Sequence, residues 1–192
     1  MVNQQDPRVL RTRQLIREAF RELLLKKDFD SITINDIAQR ATINRATFYA
    51  HYEDKYALLE EITEQAFRDR IPDQVLNARD FTDEICDGLI MMTYHYIMDF
   101  YRICRLDSKP IASLVDEKIK QLLQQSIEDI LRRGNLHLME DSHTKIISAM
   151  TASAIYGAAH AWLTVGENDR TDILVGIVRP YVMNGLGLPK VP

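Results

Sequence analysis

Residues 33–55 leave the chain very few options. They hold two short helical patterns with almost nothing between them. Thr33-x-x-Asp36 is a capping-box-like start, in which the hydroxyl satisfies a free backbone N–H and the carboxylate sits at the positive end of the helix. Ile34, Ile37, Ala38 and Ala41 then recur at helical spacing and define one apolar face. Thr42-Ile43-Asn44 is too short to be anything but a turn, with Ile43 plugging the angle between the helices. Asn44 is a good N-cap for the second helix, which runs from Arg45 through Tyr52. Two short helices on a connection this tight form a helix-turn-helix.

The second helix has a thin apolar face, mainly Phe48 and Tyr52. Its other positions suit duplex DNA. Arg45 can fork onto guanine, Thr47 can bond a base edge or touch a thymine methyl, and Ala46 lets the backbone come close. Tyr49 and His51 offer donors to phosphate oxygens. Lys55 opens the next helix, where its ammonium and the helix N-terminus are expected to grip a phosphate together.

The order Thr33, Ile37, Ala38, Ala41, then Thr47, Tyr49, His51, Tyr52, then Lys55, Leu58 and Leu59 resembles the DNA-binding domain of the TetR family of bacterial transcriptional regulators. The likeness covers roughly residues 10 to 60. It implies that Thr33, Tyr49, His51 and Lys55 hold phosphates and that Arg45, Ala46 and Thr47 face bases. One position departs from the family pattern. The turn usually carries Gly, and here it carries Thr42, a costly residue if that backbone needs a positive φ.

Charge agrees with this placement. The 192-residue chain has a net charge of −4, which argues against a non-specific coat for nucleic acid. Residues 1–27 nevertheless hold seven Lys and Arg against three Asp and Glu, whereas residues 61–192 hold fourteen against nineteen. Positive charge thus gathers beside the motif. Arg8, Arg11 and Arg13 are placed to reach DNA backbone, while Arg17 and Arg21 read as a solvated face partnered by Glu18 and Glu22. The N-terminus lacks an apolar signal region, and no apolar run is read as long enough to span a membrane, so a cytoplasmic protein is expected. Cys86 and Cys104 lie eighteen residues apart on one expected helix, about 27 Å at helical rise, so they read as reduced core cysteines.

The whole chain reads as all-α, with about nine helices: a three-helix DNA-binding domain over residues 1–56 and a C-terminal bundle over 57–192 that forms a dimer. Helix one is expected from Arg8 to Lys27, and the fourth helix, capped by Asp54, from there to about Ile71. A further helix from Phe81 to Leu106 is apolar nearly all round between Leu89 and Cys104, which places it at the bundle centre. The next runs from Pro110 to Arg133, and the last two from Asp141 to Val165 and from Arg170 to Leu186. Small residues Ala154, Gly157, Ala158 and Ala161 mark one side of the penultimate helix, beside Met150. Ile173, Leu174, Ile177, Val178 and Tyr181 form an apolar stripe on the last, which contains Pro180 and is expected to kink there. Two such helices from each of two subunits make a four-helix interface, and the family resemblance implies dimerisation through these helices.

The resemblance also implies a small-molecule effector inside the C-terminal bundle. Met92, His95, Tyr96 and Phe100 are the candidate lining residues, since Met adapts its shape and Tyr and His supply polar handles. A protein partner on this region stays open as the alternative. No nucleotide-binding loop, nucleophile elbow or zincin motif occurs, so an enzyme is not expected. His137 and His143 near Glu140 and Asp141 read as a loop-exposed cluster; no metal or cofactor is expected. The expected partners are a palindromic operator, a second copy of the chain and the effector, with repression as the default mode.

Overall fold

The computed structural model describes residues 6–103, 109–134, 141–165 and 170–186. Among these residues every α-element is a helix and no strand occurs: α1 (Pro7–Leu24), α2 (Ile34–Arg40), α3 (Arg45–Tyr49), α4 (Lys55–Arg68), α5 (Asp73–Leu76), α6 (Asp83–Ile103), α7 (Lys109–Arg133), α8 (Asp141–Val165) and α9 (Thr171–Gly185). A 3-10 turn, Phe29–Ser31, links α1 to α2. The helices expected from periodicity are present, and α8 has the expected bounds. The four-residue α5 was not foreseen: a single turn offers too few positions for a 3.6-residue period to show.

The chain forms two compact units. The first comprises residues 1–65 with 100–115, and the second 66–99 with 116–192. The division therefore falls at Gln65, further along than the boundary at 56 read from the sequence. The reason is continuity: α4 has no break near residue 56, and Leu58 and Leu59 on it are wholly buried.

In the first unit, α1 buries Ile16, Ala19, Phe20 and Leu24, the spacing that one helical face demands. Asp6 caps α1 by accepting from the Arg8 N–H at 2.8 Å, and Pro7 occupies the first helical position where its missing donor costs nothing. Phe29 packs edge-on against Phe20 at 6.0 Å and against Tyr56 at 5.1 Å. Phe20 and Phe48 are fully buried, each contributing about 1.5–3 kcal/mol of apolar transfer.

In the second unit, α6 buries Cys86, Leu89, Ile90, Tyr94, Tyr96 and Ile97, fulfilling the central role expected of it. Burial pushes the Cys86 thiol up to about 12, so it is an inert core thiol; Cys104 lies outside the described residues. α7 contributes Ile119, Leu122, Leu123, Ile127, Ile130 and Leu131. Gly134 ends this helix where a Cβ would lie 2.8 Å from the Arg79 carbonyl, so only glycine fits. α8 packs on α9, with Ile155 and Ala159 of the former and Leu174, Val178 and Val182 of the latter buried. α8 also corrects one expectation. By length and composition it is apolar enough to cross a membrane, the one such helix among the described residues. Its many Ala residues raise the hydropathy without forming an obvious apolar run. It still buries the polar Thr144, Ser148 and Thr151, and one such helix is weak evidence for a span.

Candidate nucleic-acid interface

Thr33 opens α2 with a complete capping box. Its hydroxyl oxygen accepts from the Asp36 N–H at 3.1 Å, and its own N–H donates to the Asp36 carboxylate at 2.8 Å. The Thr33 hydroxyl also donates to Asp36 Oδ2 at 2.7 Å, and Lys27 Nζ lies 3.1 Å from Oδ1. These donors, the Thr33 hydroxyl foremost, hold the Asp36 carboxyl at about 2.

The turn then closes α2 by two reverse hydrogen bonds. Ile43 N–H donates to the Ala38 carbonyl at 2.9 Å and Thr42 N–H to the Gln39 carbonyl at 3.1 Å, which is a Schellman motif. That motif needs a left-handed residue at Thr42, and Thr42 has φ 57°. The one departure from the family pattern thus falls where glycine would be free of strain.

Asn44 caps α3, its side-chain oxygen accepting from the Thr47 N–H at 2.7 Å and from the Thr47 hydroxyl at 2.9 Å. The helix is five residues long, shorter than the Arg45–Tyr52 expectation, although His51 and Tyr52 N–H groups still bond the Phe48 carbonyl. Phe48 anchors it from below, with Tyr49 and Tyr52 rings at 5.7 and 5.8 Å. Above the anchor, Arg45, Ala46 and Tyr49 are exposed, Tyr49 to 50%. Thr47 is half-buried with its hydroxyl proton committed to Asn44, so toward a base it presents its methyl and an oxygen lone pair. Half-buried His51 has its pKa lowered, first by burial and then by Arg13, which favours the neutral imidazole.

Lys55 is held by the backbone of the preceding turn. Its ammonium donates to three backbone carbonyls, those of Phe29 at 2.8 Å, Asp30 at 3.1 Å and Ile32 at 2.9 Å, and stands 4.5 Å over the Phe29 ring. A lysine has three donors, and all are committed. This side chain fastens the 3-10 turn to the start of α4. Burial lowers its pKa accordingly.

A correction concerns α1. Arg17 does not pair with Glu18 or Glu22; it bonds Glu61 on α4 at 3.0 Å. Arg13 forms an ion pair with the same carboxylate, and the Tyr52 hydroxyl donates to it at 2.9 Å. The Arg13 guanidinium also lies 4.8 Å from the Tyr52 ring centre. One half-buried carboxylate therefore ties α1, the end of the recognition segment and α4 together. Burial, then Glu61, pushes the Tyr52 hydroxyl pKa up, so it stays a donor. Glu22 pairs with Arg40.

The C-terminal candidates divide. Met92 and His95 line an open groove of about 700 Å³ with Arg70, Pro72, Gln74, Glu84, Asp87, Gly88 and Met91. Tyr96 is buried edge-on against Phe67 at 5.5 Å with the Arg70 guanidinium 5.4 Å from its ring, so it supports that region from behind. Phe100 is also buried and belongs to the first compact unit. The residues assigned to a dimer interface split in the same way. Leu174 and Val178 are buried within the subunit. Ala154, Ala158 and Ile173 are half-buried, whereas Gly157 and Ala161 are exposed, as are Ile177 to 62% and Tyr181 to 74%. Ile146, Met150 and Val165 of α8 are exposed too, although they are large and apolar. His137 and Glu140 lie outside the described residues, and no cluster of three metal-ligating side chains occurs among the described ones.

Comparison with known proteins agrees with this geometry. A family model described as "Bacterial regulatory proteins, tetR family" matches residues 16–62, which span α1 to α4. The helix-turn-helix domain of this chain is thus similar in sequence to that of the TetR family. The HTH-type transcriptional regulator YxbF of Bacillus subtilis is 44% identical over 62 residues, which cover 32% of this chain and 16% of that protein. The dhaKLM operon transcriptional activator DhaS of Lactococcus lactis is 36% identical over 62 residues, 32% of this chain and 33% of that protein. The alignments to these curated relatives thus span a third or less of their length. Among solved structures, a TetR transcriptional regulator from Streptococcus agalactiae superposes with a TM-score of 0.59 at 24% identity, covering 93% of this chain and 97% of the other. The TetR-like fold therefore extends over both compact units. The relatives are named as transcriptional regulators.

Sequence reasoning missed Glu61 and Arg40 in this domain. Both act through partners 9 to 48 positions away. A faint signal existed for Glu61: it sits beside the apolar Leu58, Leu59 and Ile62 on α4.

Proposed function

We propose that the chain is a transcription regulator that binds a palindromic operator as a homodimer and is released from it by a small-molecule effector. Exposed Arg45, Ala46 and Tyr49 on a doubly capped, Phe48-anchored α3 carry this reading. A rigid short helix with a forked cation, a small residue and a phenol on its open face suits a major groove. Exposed Tyr49 supports a phosphate contact through its hydroxyl, and neutral His51 supports one through an N–H without charge.

One such helix reads few base pairs, so a symmetric dimer is required for useful specificity. The exposed apolar residues Ile146, Met150, Ile177 and Tyr181, with the small Gly157 and Ala161, support α8 and α9 as the dimer surface. The groove lined by Met92 and His95 supports the effector reading. Work on DNA in a bacterial cell supports a cytoplasmic location. Repression is the mode proposed. Activation is a second reading, favoured by the naming of the relative DhaS as an activator.

Gel-shift titration with duplex fragments from beside the chain's own coding region tests the proposal. Arg45→Ala should weaken the specific complex by about 1–3 kcal/mol and relax base preference. Tyr49→Phe should weaken all sequences alike. Normal operator binding by both variants would place the DNA-reading surface elsewhere.

A further inference from the structure

The groove in the second unit has a definite chemistry. Glu84, Asp87, Gly88, Met91, Met92 and His95 all line it and share one face of α6, at spacings of three, four and seven residues. Gly88 lets α5 lie close against that face, since a Cβ there would stand 3.2 Å from the Gln74 amide and 3.4 Å from Val75.

The charges around it do not cancel. Arg70 is answered by Asp99 at 3.0 Å and by the Tyr96 ring. Asp87 is answered on one oxygen only, where Arg179 donates to Oδ2 at 2.8 Å. Its Oδ1 is buried and accepts no hydrogen bond from any described residue. An oxygen in that state is costly unless a donor reaches it. Burial accordingly pushes the Asp87 carboxyl up. Glu84 receives the Thr82 hydroxyl at 2.9 Å, and among the described residues no ion pair neutralises it. The groove thus presents one uncancelled carboxylate and one carboxylate oxygen lacking a donor. Met91, Met92 and Pro72 offer an adaptable apolar wall beside them.

From this we infer that the groove binds a primary ammonium ion carrying an apolar body, with its N–H groups on Asp87 and Glu84 and its body along Met91 and Met92 toward His95. A primary ammonium supplies both positive charge and N–H donors, whereas a quaternary one has no N–H for Oδ1. Eight residues of helix separate Asp87 from His95, about 12 Å, which suits a chain of eight to ten atoms. The inference rests on the effector reading above and names the ligand class for that site.

Calorimetric titration of the full chain with n-octylamine, n-octyltrimethylammonium and sodium octanoate tests it. Octylamine should bind at one site, more tightly than the trimethylated ion, and octanoate should not bind. Asp87→Asn and Glu84→Gln should each weaken octylamine about tenfold. Because Asp87→Asn also loosens Arg179, Met91→Lys serves as a second variant that leaves that ion pair intact; it should weaken binding at least as much, with an unchanged melting curve. Absence of octylamine binding, equal binding of octanoate, or indifference to both Glu84→Gln and Met91→Lys would overturn the assignment. Operator affinity measured with and without octylamine separates the two readings. Binding in the groove that leaves operator affinity unchanged would remove the effector role and keep the ligand class.

Discussion

Lys55 and Thr42 both match or break a family pattern for reasons visible only in their backbone surroundings. Lys55 matches the pattern, yet its three donors end on the carbonyls of Phe29, Asp30 and Ile32. A residue that merely touched phosphate would leave stability alone when removed. Lys55→Met should instead destabilise the first unit by about 2 kcal/mol, since a half-buried charge-assisted cluster is lost and carbonyls are orphaned. Urea unfolding followed by circular dichroism measures this. An unaltered midpoint, with the salt slope of DNA binding reduced by about one, would favour the phosphate role. Thr42 breaks the pattern and holds φ 57° under two Schellman hydrogen bonds. Left-handed backbone costs a β-branched residue about 1–2 kcal/mol, part of which glycine returns as lost chain entropy. Thr42→Gly should therefore raise stability by up to about 1 kcal/mol, while Thr42→Ala should gain little. A thermal melt showing no difference between the two would mean that the turn relaxes at no cost. The family resemblance exposed the strained position, because the family usually carries Gly there. It could not expose the lysine's partners, which lie 23 to 26 residues away.

At the scale of elements, caps and periodic faces were readable and inward direction was not. The α2 cap was readable because all its groups lie within four residues, Thr33 to Asp36. Its electrostatics yield a test. Asp36 is held at about 2, below the ordinary 3.8. The folded form binds that proton more weakly than the unfolded chain does. The cap's contribution is thus fully present above about pH 4 and is lost as pH falls toward 2. NMR titration of the Asp36 carboxyl should show a midpoint near 2, and Thr33→Val should move it up toward the ordinary value, because the hydroxyl is its leading cause. A midpoint near 3.8 in the unaltered protein would mean the box is open in solution. α9 shows the opposite case. Its apolar residues read as one broad stripe, but Leu174, Val178 and Val182 are buried whereas Ile177 and Tyr181 are exposed. Periodicity reports which residues share a face. It does not say which of two apolar faces meets the subunit's own core, since both obey the same spacing. The groove residues suffered likewise: Met92 and His95 line it, while Tyr96, adjacent in sequence, turns to Phe67.

For the molecule as a whole, the split of α9 supplies a clean test of assembly. Substituting a residue buried in the subunit cannot distinguish lost dimer from lost fold. Val178→Glu would place a carboxylate in the core and unfold the second unit, whatever the oligomeric state. Ile177 is one position earlier and 62% exposed, and Tyr181 is 74% exposed. A carboxylate at either meets solvent in the isolated subunit, so helix content and melting of the monomer should be nearly unchanged. In a symmetric contact, the same substitution appears twice and sets like charges against each other around one axis. Ile177→Glu and Tyr181→Glu should therefore give monomers by light scattering at micromolar concentration, with intact circular dichroism. Operator affinity should fall by several orders of magnitude, because the two half-sites no longer bind as a unit. Binding to an isolated half-site should persist, since Arg45, Ala46 and Tyr49 are untouched. A dimer that survives both substitutions would move the interface off α9. A monomer that keeps full operator affinity would remove the need for paired recognition helices altogether.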